Sequence, residues 1–198
     1  EIWNLFLFII NGIFMKIISG NLAGRLIKSP KGRLTRPTSA RAKESLFNFL
    51  VHGLRFNFDQ VHVLDLFAGS GSLGIEALSR GAKFCSFIDN DMNSITTIKD
   101  NLRYLGLEKQ GFVKKYDATK INFKFKSSLD LIFSDPPYKN FSQTKLAIER
   151  INKKKLINDN GVIVTELSSK DETEAIEGFI INDKKIIGDT QFCIYSLN

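Results

Sequence analysis

From Val61 onward the chain alternates two hydrophobic patterns: short continuous apolar runs, and stretches whose apolar residues recur every three or four positions. The first pattern reads as buried strands and the second as amphipathic helices. Strands are expected at 61–67, 83–89, 112–116, 129–135 and 161–167, with helices at 72–79, 92–105 and 141–155. Strand alternating with helix over this span predicts an α/β fold built on a doubly wound, mostly parallel sheet. Two β-rich runs, 179–187 and 191–197, flank Gly188-Asp189 and predict an antiparallel C-terminal hairpin.

Upstream, MKIISGNLAGRLIK (residues 15–28) reads as two short strands about a Gly-Asn turn, a small β-hairpin. A loop with Pro30, Gly32 and Pro37 follows, and Thr38 or Ser39 is placed to cap a helix running to about Val51. The first fourteen residues, EIWNLFLFIINGIF, are apolar but too short to span a bilayer, and they lack the basic start of a signal peptide. Met15 is an alternative native start. The chain thus divides into an apolar extension (1–14), a hairpin and loop (15–37) and an α/β domain (38–198).

Charge refines this division. The net charge is +7, and between Met15 and Lys43 stand Lys16, Arg25, Lys28, Lys31, Arg33, Arg36, Arg41 and Lys43 without an acid. Removing those eight from the 28 bases leaves 20 against 21 acids, so the excess sits in one segment, as expected of a patch for a polyanion. Cys85 and Cys193 lie far apart in apolar runs, which argues against a disulfide framework or a metal site and suits a reducing cytoplasm. His52 and His62, at a helix end and within a strand, are not expected to be ligands.

Gly69-Ser70-Gly71-Ser72-Leu73-Gly74 matches G-x-G-x-x-G between a strand and a helix, with Asp89 about twenty residues on. Alone, this loop would also suit a nicotinamide dinucleotide. Two features oppose that reading. Asp65 stands just before the loop, where its carboxylate would repel a pyrophosphate but suits a cationic amino-acid group. Leu66-Phe67-Ala68 also separate that strand from the first glycine.

Asp135-Pro136-Pro137-Tyr138 follows the fourth strand of the domain, at the carboxyl edge where open α/β sheets bind ligands. An exocyclic base amine is a poor nucleophile because its lone pair is conjugated with the ring. The Asp135 carboxylate and Pro136 carbonyl can accept its two hydrogens, and Tyr138 offers a stacking face. The expected chemistry is transfer of a methyl group to such an amine, driven by alignment and electrostatics. Glu166, ending the fifth strand, either approaches this edge or is a solvated terminus.

With these motifs located, the chain resembles the RsmD family of 16S ribosomal RNA guanine-N2 methyltransferases. The resemblance rests on IISGNLAGRLIKSP, RPTSARAKESLFNFL, VLDLFAGSGSLGIEALSRGA, FIDND, DPPY and GDTQFCIYSL, and runs from Met15 almost to the end. It implies a Rossmann-like class I methyltransferase sheet, S-adenosyl-L-methionine as cofactor, and methylation of guanine 966 in 16S RNA of a partly or fully assembled small subunit. It implies that Asp65, Phe67, Ala68, Gly69 and Gly71 hold the methionine part and that Asp89 takes the ribose, with Asn90 and Thr38 among the cofactor contacts. Asp117 and Ala118 would border the adenine. Asp135, Pro136 and Tyr138 would be catalytic. Arg25, Lys28, Lys31, Arg33, Arg36, Arg41, Pro137 and Lys139 would meet the RNA. No metal is implied, and a cytoplasmic monomer is expected. In FIDND, Asp89 stands where a longer glutamate is common, which would loosen the ribose contact.

Two rivals stand beside this reading. Amino methylation of DNA adenine uses the same four-residue motif, although the chain leaves little room for a target-recognition domain. A non-catalytic RNA-binding assembly factor would keep the basic segment but would not need Asp65, the glycine loop and Asp135-Tyr138 together.

Overall fold

The computed structural model describes residues 14–30, 39–125, 127–136 and 141–198. A hairpin of β1 (Phe14–Lys16) and β2 (Leu26–Lys28) comes first, followed by helix α1 (Ala40–Asn48). Ser39 caps α1, its hydroxyl oxygen accepting the Ala42 N–H at 3.1 Å. The expected extension to Val51 differs in form: after Asn48 the backbone widens into a π turn at Phe49–Gly53.

The α/β region then runs β3 (His62–Leu66), α2 (Ser72–Ser79), β4 (Phe84–Asp89), α3 (Met92–Leu105), β5 (Gly111–Lys115), β6 (Leu129–Ser134), α4 (Phe141–Lys153), β7 (Ile157–Ser168), β8 (Phe179–Ile187) and β9 (Thr190–Leu197). These elements follow the hydrophobic pattern closely. One difference is β7, which starts four residues early and carries a register irregularity against β6 between Leu129 and Leu131.

The seven-stranded sheet has the order β5-β4-β3-β6-β7-β9-β8. Strands β3 to β7 are parallel, and β9 enters antiparallel between β7 and β8. The C-terminal hairpin closes at Gly188-Asp189, as expected, with Ile187 paired to Thr190. The chain order reverses between β3 and β6, so the carboxyl ends of these two neighbours frame a switch point of the kind where ligands bind.

Two apolar clusters cover the faces of the sheet. One gathers the hairpin, α1, α2 and α3 around Ile17, Leu46, Ile75, Phe87 and Ile98. The other places α4 and residues 118–121 against Leu64, Leu66, Ile132 and Ile163. Both cysteines are buried and unpaired with each other.

The hairpin docks on α2 and α3 through polar side chains that meet its backbone. Glu76, fully buried, accepts the N–H groups of Ile18 (2.8 Å) and Ser19 (3.0 Å). Gly20 carries φ +84 and lies so close to α2 that an added Cβ would stand 1.8 Å from the Ser79 carbonyl oxygen. No side chain fits there.

Candidate functional site

The carboxyl edge of the sheet is shaped by a sharp turn after β3. Phe67, expected as the last strand residue, instead leaves the strand with φ 57, and Gly69 and Gly71 continue in the left-handed region. Such a backbone is costly for a phenylalanine and persists only where its surroundings enforce it. The Ala68 N–H still bonds to the Ile88 carbonyl at 3.0 Å, which carries the β3–β4 ladder into the turn.

Two carboxylates hold this loop from behind. Asp65 is buried, and its Oδ2 accepts the Gly74 N–H at 2.9 Å, tying the strand end to the first turn of α2. Burial pushes the Asp65 carboxyl up to about 8; the Gly74 bond works against this and the nearby Asp89 charge adds to it. Asp89, also buried, accepts the Gly69 N–H through Oδ2 and the Asp91 N–H through Oδ1, each at 2.8 Å.

Beside Asp89 a cavity is lined by Phe67, Asn90, Tyr116, Asp117, Ala118 and Thr119, together with Gln143 of α4. Asp117 caps the short turn Ala118–Lys120: its Oδ1 accepts the Thr119 N–H at 3.0 Å and the Thr119 hydroxyl at 2.7 Å. The Thr119 hydroxyl bond is the chief reason the Asp117 carboxyl lies below its usual range. The sequence-derived Phe67, Asp89, Asn90, Asp117 and Ala118 thus come together around one space. Tyr116, Thr119 and Gln143 join them without having been expected. A strand-end aromatic beside Asp117 was the available signal for Tyr116, whereas Gln143 arrives only through the packing of α4.

Asp135 stands one residue past Ser134, which pairs with Leu66, the last residue of β3 before the Phe67 turn. It is half-buried and Pro136 is buried. Ser134 and Thr144 share a hydroxyl–hydroxyl bond of 2.8 Å that ties the end of β6 to α4. Pro137, Tyr138 and Lys139 lie outside the described residues, as do Thr38, Lys31, Arg33 and Arg36. Glu166 is not a solvated terminus: it is buried within β7, which continues to Ser168.

The basic segment divides in the structure. Lys28 and Arg41 are exposed, and Arg25 is half-buried with its guanidinium 4.9 Å from the Tyr104 ring centroid and donating to the Tyr104 carbonyl at 3.0 Å. Lys43 is no part of a solvated patch. It is buried, with Nζ donating to the Lys16 carbonyl (3.1 Å) and Ser72 Oγ (3.0 Å) and standing 3.5 Å from Glu76. Burial pulls its ammonium below the usual lysine range, against the opposing pull of Glu76.

No helix among the described residues is long and apolar enough to cross a membrane. A candidate rRNA methyltransferase of Bacillus subtilis (strain 168), YlbH, is 39% identical over 185 residues, covering 91% of this chain and 98% of that protein. Ribosomal RNA small subunit methyltransferase D of Buchnera aphidicola subsp. Acyrthosiphon pisum (strain APS) is 32% identical over 179 residues, covering 90% and 91%. A solved structure of a candidate methyltransferase of Escherichia coli, yhhF, superposes with a TM-score of 0.80 at 24% identity, covering 93% of this chain and 98% of that one. The fold is the Rossmann-like sheet of class I methyltransferases, mostly parallel with antiparallel C-terminal strands. The family model described as Conserved hypothetical protein 95 matches residues 15–196, and with it the chain belongs to the RsmD family.

Proposed function

We propose that the protein is an S-adenosylmethionine-dependent rRNA methyltransferase acting on the exocyclic N2 amine of guanine 966 in 16S RNA of the small ribosomal subunit. The observation that carries this reading is that Asp135 follows the end of β6 directly, at the same carboxyl edge of the sheet where β3 ends in the Phe67 turn and the acidic cavity opens beside Asp89. The names of the relatives, ribosomal RNA methyltransferases among them, support the substrate class.

The cavity's own groups fit an adenosine: the Asp89 carboxylate can accept ribose hydroxyls, and Phe67 and Tyr116 offer flat apolar faces. When bound, S-adenosylmethionine supplies an electrophilic methyl on a sulfonium. Asp65, Phe67, Ala68, Gly69 and Gly71 are assigned to its methionine part, Asp89 and Asn90 to its ribose, and Asp117 and Ala118 to its adenine, and Thr38 is assigned to the cofactor as well. Asp135 and the Pro136 carbonyl hold the two amine hydrogens and free the nitrogen lone pair, while Tyr138 stacks on the guanine. Arg25, Lys28 and Arg41, with Lys31, Arg33, Arg36, Pro137 and Lys139, are assigned to the RNA. The domain division at residues 14 and 37 is part of the same reading, with the protein a cytoplasmic monomer.

Transfer of labelled methyl to small subunits from cells lacking the enzyme tests it. Label recovered as N2-methylguanine at position 966, lost in Asp135→Ala with cofactor binding retained, is the expected result. Label in DNA or as N6-methyladenine would overturn the substrate. No transfer by a protein that also fails to bind the cofactor would overturn the enzyme.

A further inference from the structure

We propose a second RNA-contact surface in the segment from Lys114 to Phe125, across the catalytic edge from the N-terminal basic segment; it rests on the rRNA-methyltransferase reading. From Lys109 to Lys126 the chain holds six lysines and one acid, Asp117, interleaved with Phe112, Tyr116, Phe123 and Phe125. Basic residues interleaved with aromatics are what a nucleic-acid strand requires, cations for phosphates and ring faces for bases.

The structure assembles these residues. Tyr116 and Phe123 meet edge to face at 5.2 Å and 87°, and Phe123 meets Phe125 at 5.3 Å and 64°. Lys114 Nζ sits 3.7 Å from the Phe123 ring centroid. The Tyr116 hydroxyl lies 2.8 Å from Asn122 Oδ1 and 3.2 Å from the Lys120 carbonyl, so its one proton fastens the loop in either arrangement. A loop held in advance loses less entropy on binding than a free one. Lys115 and Lys124 are exposed and enter no ion pair among the described residues, whereas Lys120 faces Asp117 at 3.2 Å.

Position gives the cluster its role. Residues 118–121 pack with α4 on one face of the sheet, while the hairpin carrying Arg25 and Lys28 packs with α2 and α3 on the other. Tyr116 and Asp117 also line the cavity that reaches Gln143 in the first turn of α4, shortly after Asp135. RNA delivering a base to Asp135 therefore has basic surface on both sides. The Lys114–Phe125 side adds half-buried rings to its charges, which favours nucleic acid over an acidic protein segment.

The test is binding of the full chain to a labelled 16S RNA fragment containing guanine 966, titrated over a series of KCl concentrations. Lys115→Ala/Lys124→Ala removes two cations from the surface while leaving Lys120 with Asp117. The expected result is weaker binding and a log K against log[KCl] slope smaller by about 1.4–1.8, at roughly 0.7–0.9 per phosphate contact. Cofactor affinity should stay at the wild-type value, and Lys115→Arg/Lys124→Arg should keep the slope. An unchanged slope in the alanine pair, with Arg25→Ala/Lys28→Ala reducing it, overturns the second surface alone. A wild-type chain that binds neither this RNA nor small subunits overturns the rRNA reading and this surface with it.

Discussion

The side-chain amide of Asn101 meets both backbone groups of Lys28: Oδ1 accepts the Lys28 N–H at 2.8 Å, and Nδ2 donates to the Lys28 carbonyl at 3.0 Å. The same Nδ2 donates to the Ser70 carbonyl at 3.1 Å. One buried side chain of α3 therefore joins the end of β2 to the glycine loop. Asn101→Leu keeps the approximate volume and strands three backbone groups. With each stranded group worth about 1–3 kcal/mol and two of the three partly reached by water, a loss of about 2–4 kcal/mol in urea denaturation is expected. A loss under about 0.5 kcal/mol would show that the clamp adds nothing.

Glu76 makes a similar junction with charge. Besides the Ile18 and Ser19 N–H groups it accepts Arg80 Nε at 3.0 Å and faces Lys43 at 3.5 Å. Glu76→Ala leaves a buried ammonium and two N–H groups uncompensated, for an expected loss of about 3–5 kcal/mol. Lys43→Met should cost less, because Glu76 keeps Arg80 and both amides. Denaturant midpoints of the two variants check the order, and faster amide exchange at Ile18 and Ser19 in Glu76→Ala locates the loss in the hairpin.

Asp65 predicts a pH dependence. Its carboxyl is raised from 3.8 to about 8 in the folded chain. The folded state therefore holds a proton that the unfolded state releases near pH 4. The stability this contributes is full below about pH 4, falls as pH rises, and is gone above about pH 8. Asp65→Asn cannot ionise, so its stability relative to wild type should rise between those limits and stay higher above about pH 8, by on the order of a few kcal/mol. Thermal unfolding of both proteins from pH 4 to 9 measures this, and a pH-independent difference would contradict the shift.

Gly74 tests how tightly α2 packs on the sheet. An added Cβ would stand 2.4 Å from a Phe87 ring carbon and 2.6 Å from Cys85 Sγ, both fully buried. Alanine favours a helix over glycine by about 1 kcal/mol, but overpacking of a dense core costs about 1–3 kcal/mol. Gly74→Ala should therefore lower the melting temperature, and with it cofactor affinity, because the shift also moves the Gly74 N–H away from Asp65. A raised melting temperature would mean that α2 has room to move.

The legible parts are those encoded by neighbours in sequence. The strands from Val61 to Leu167 show as apolar runs because a parallel sheet buried on both faces needs them. Helices Ser72–Ser79 and Met92–Leu105 match their expected limits because an apolar stripe marks each and a glycine follows the second. The Asp89, Asp117 and Asp135 positions could be placed at one edge because strand ends in a parallel sheet share a side. The count of charge was less informative. It credited Lys43 to a solvated patch, and it passed over the lysines of residues 109–126 because acids elsewhere cancel them.

Local periodicity sets the order of strands and helices, the turn chemistry at Gly188-Asp189, and which short motifs fall at strand ends. Long-range packing sets Glu76 and Asn101 against the hairpin, turns Asp65 toward α2, and brings Gln143 and Tyr116 to one cavity with Asp89. Periodicity records which face of an element is dry. A buried polar side chain breaks that pattern wherever it stands, and its partner, 58 residues away for Glu76 and Ile18, is named by no local signal.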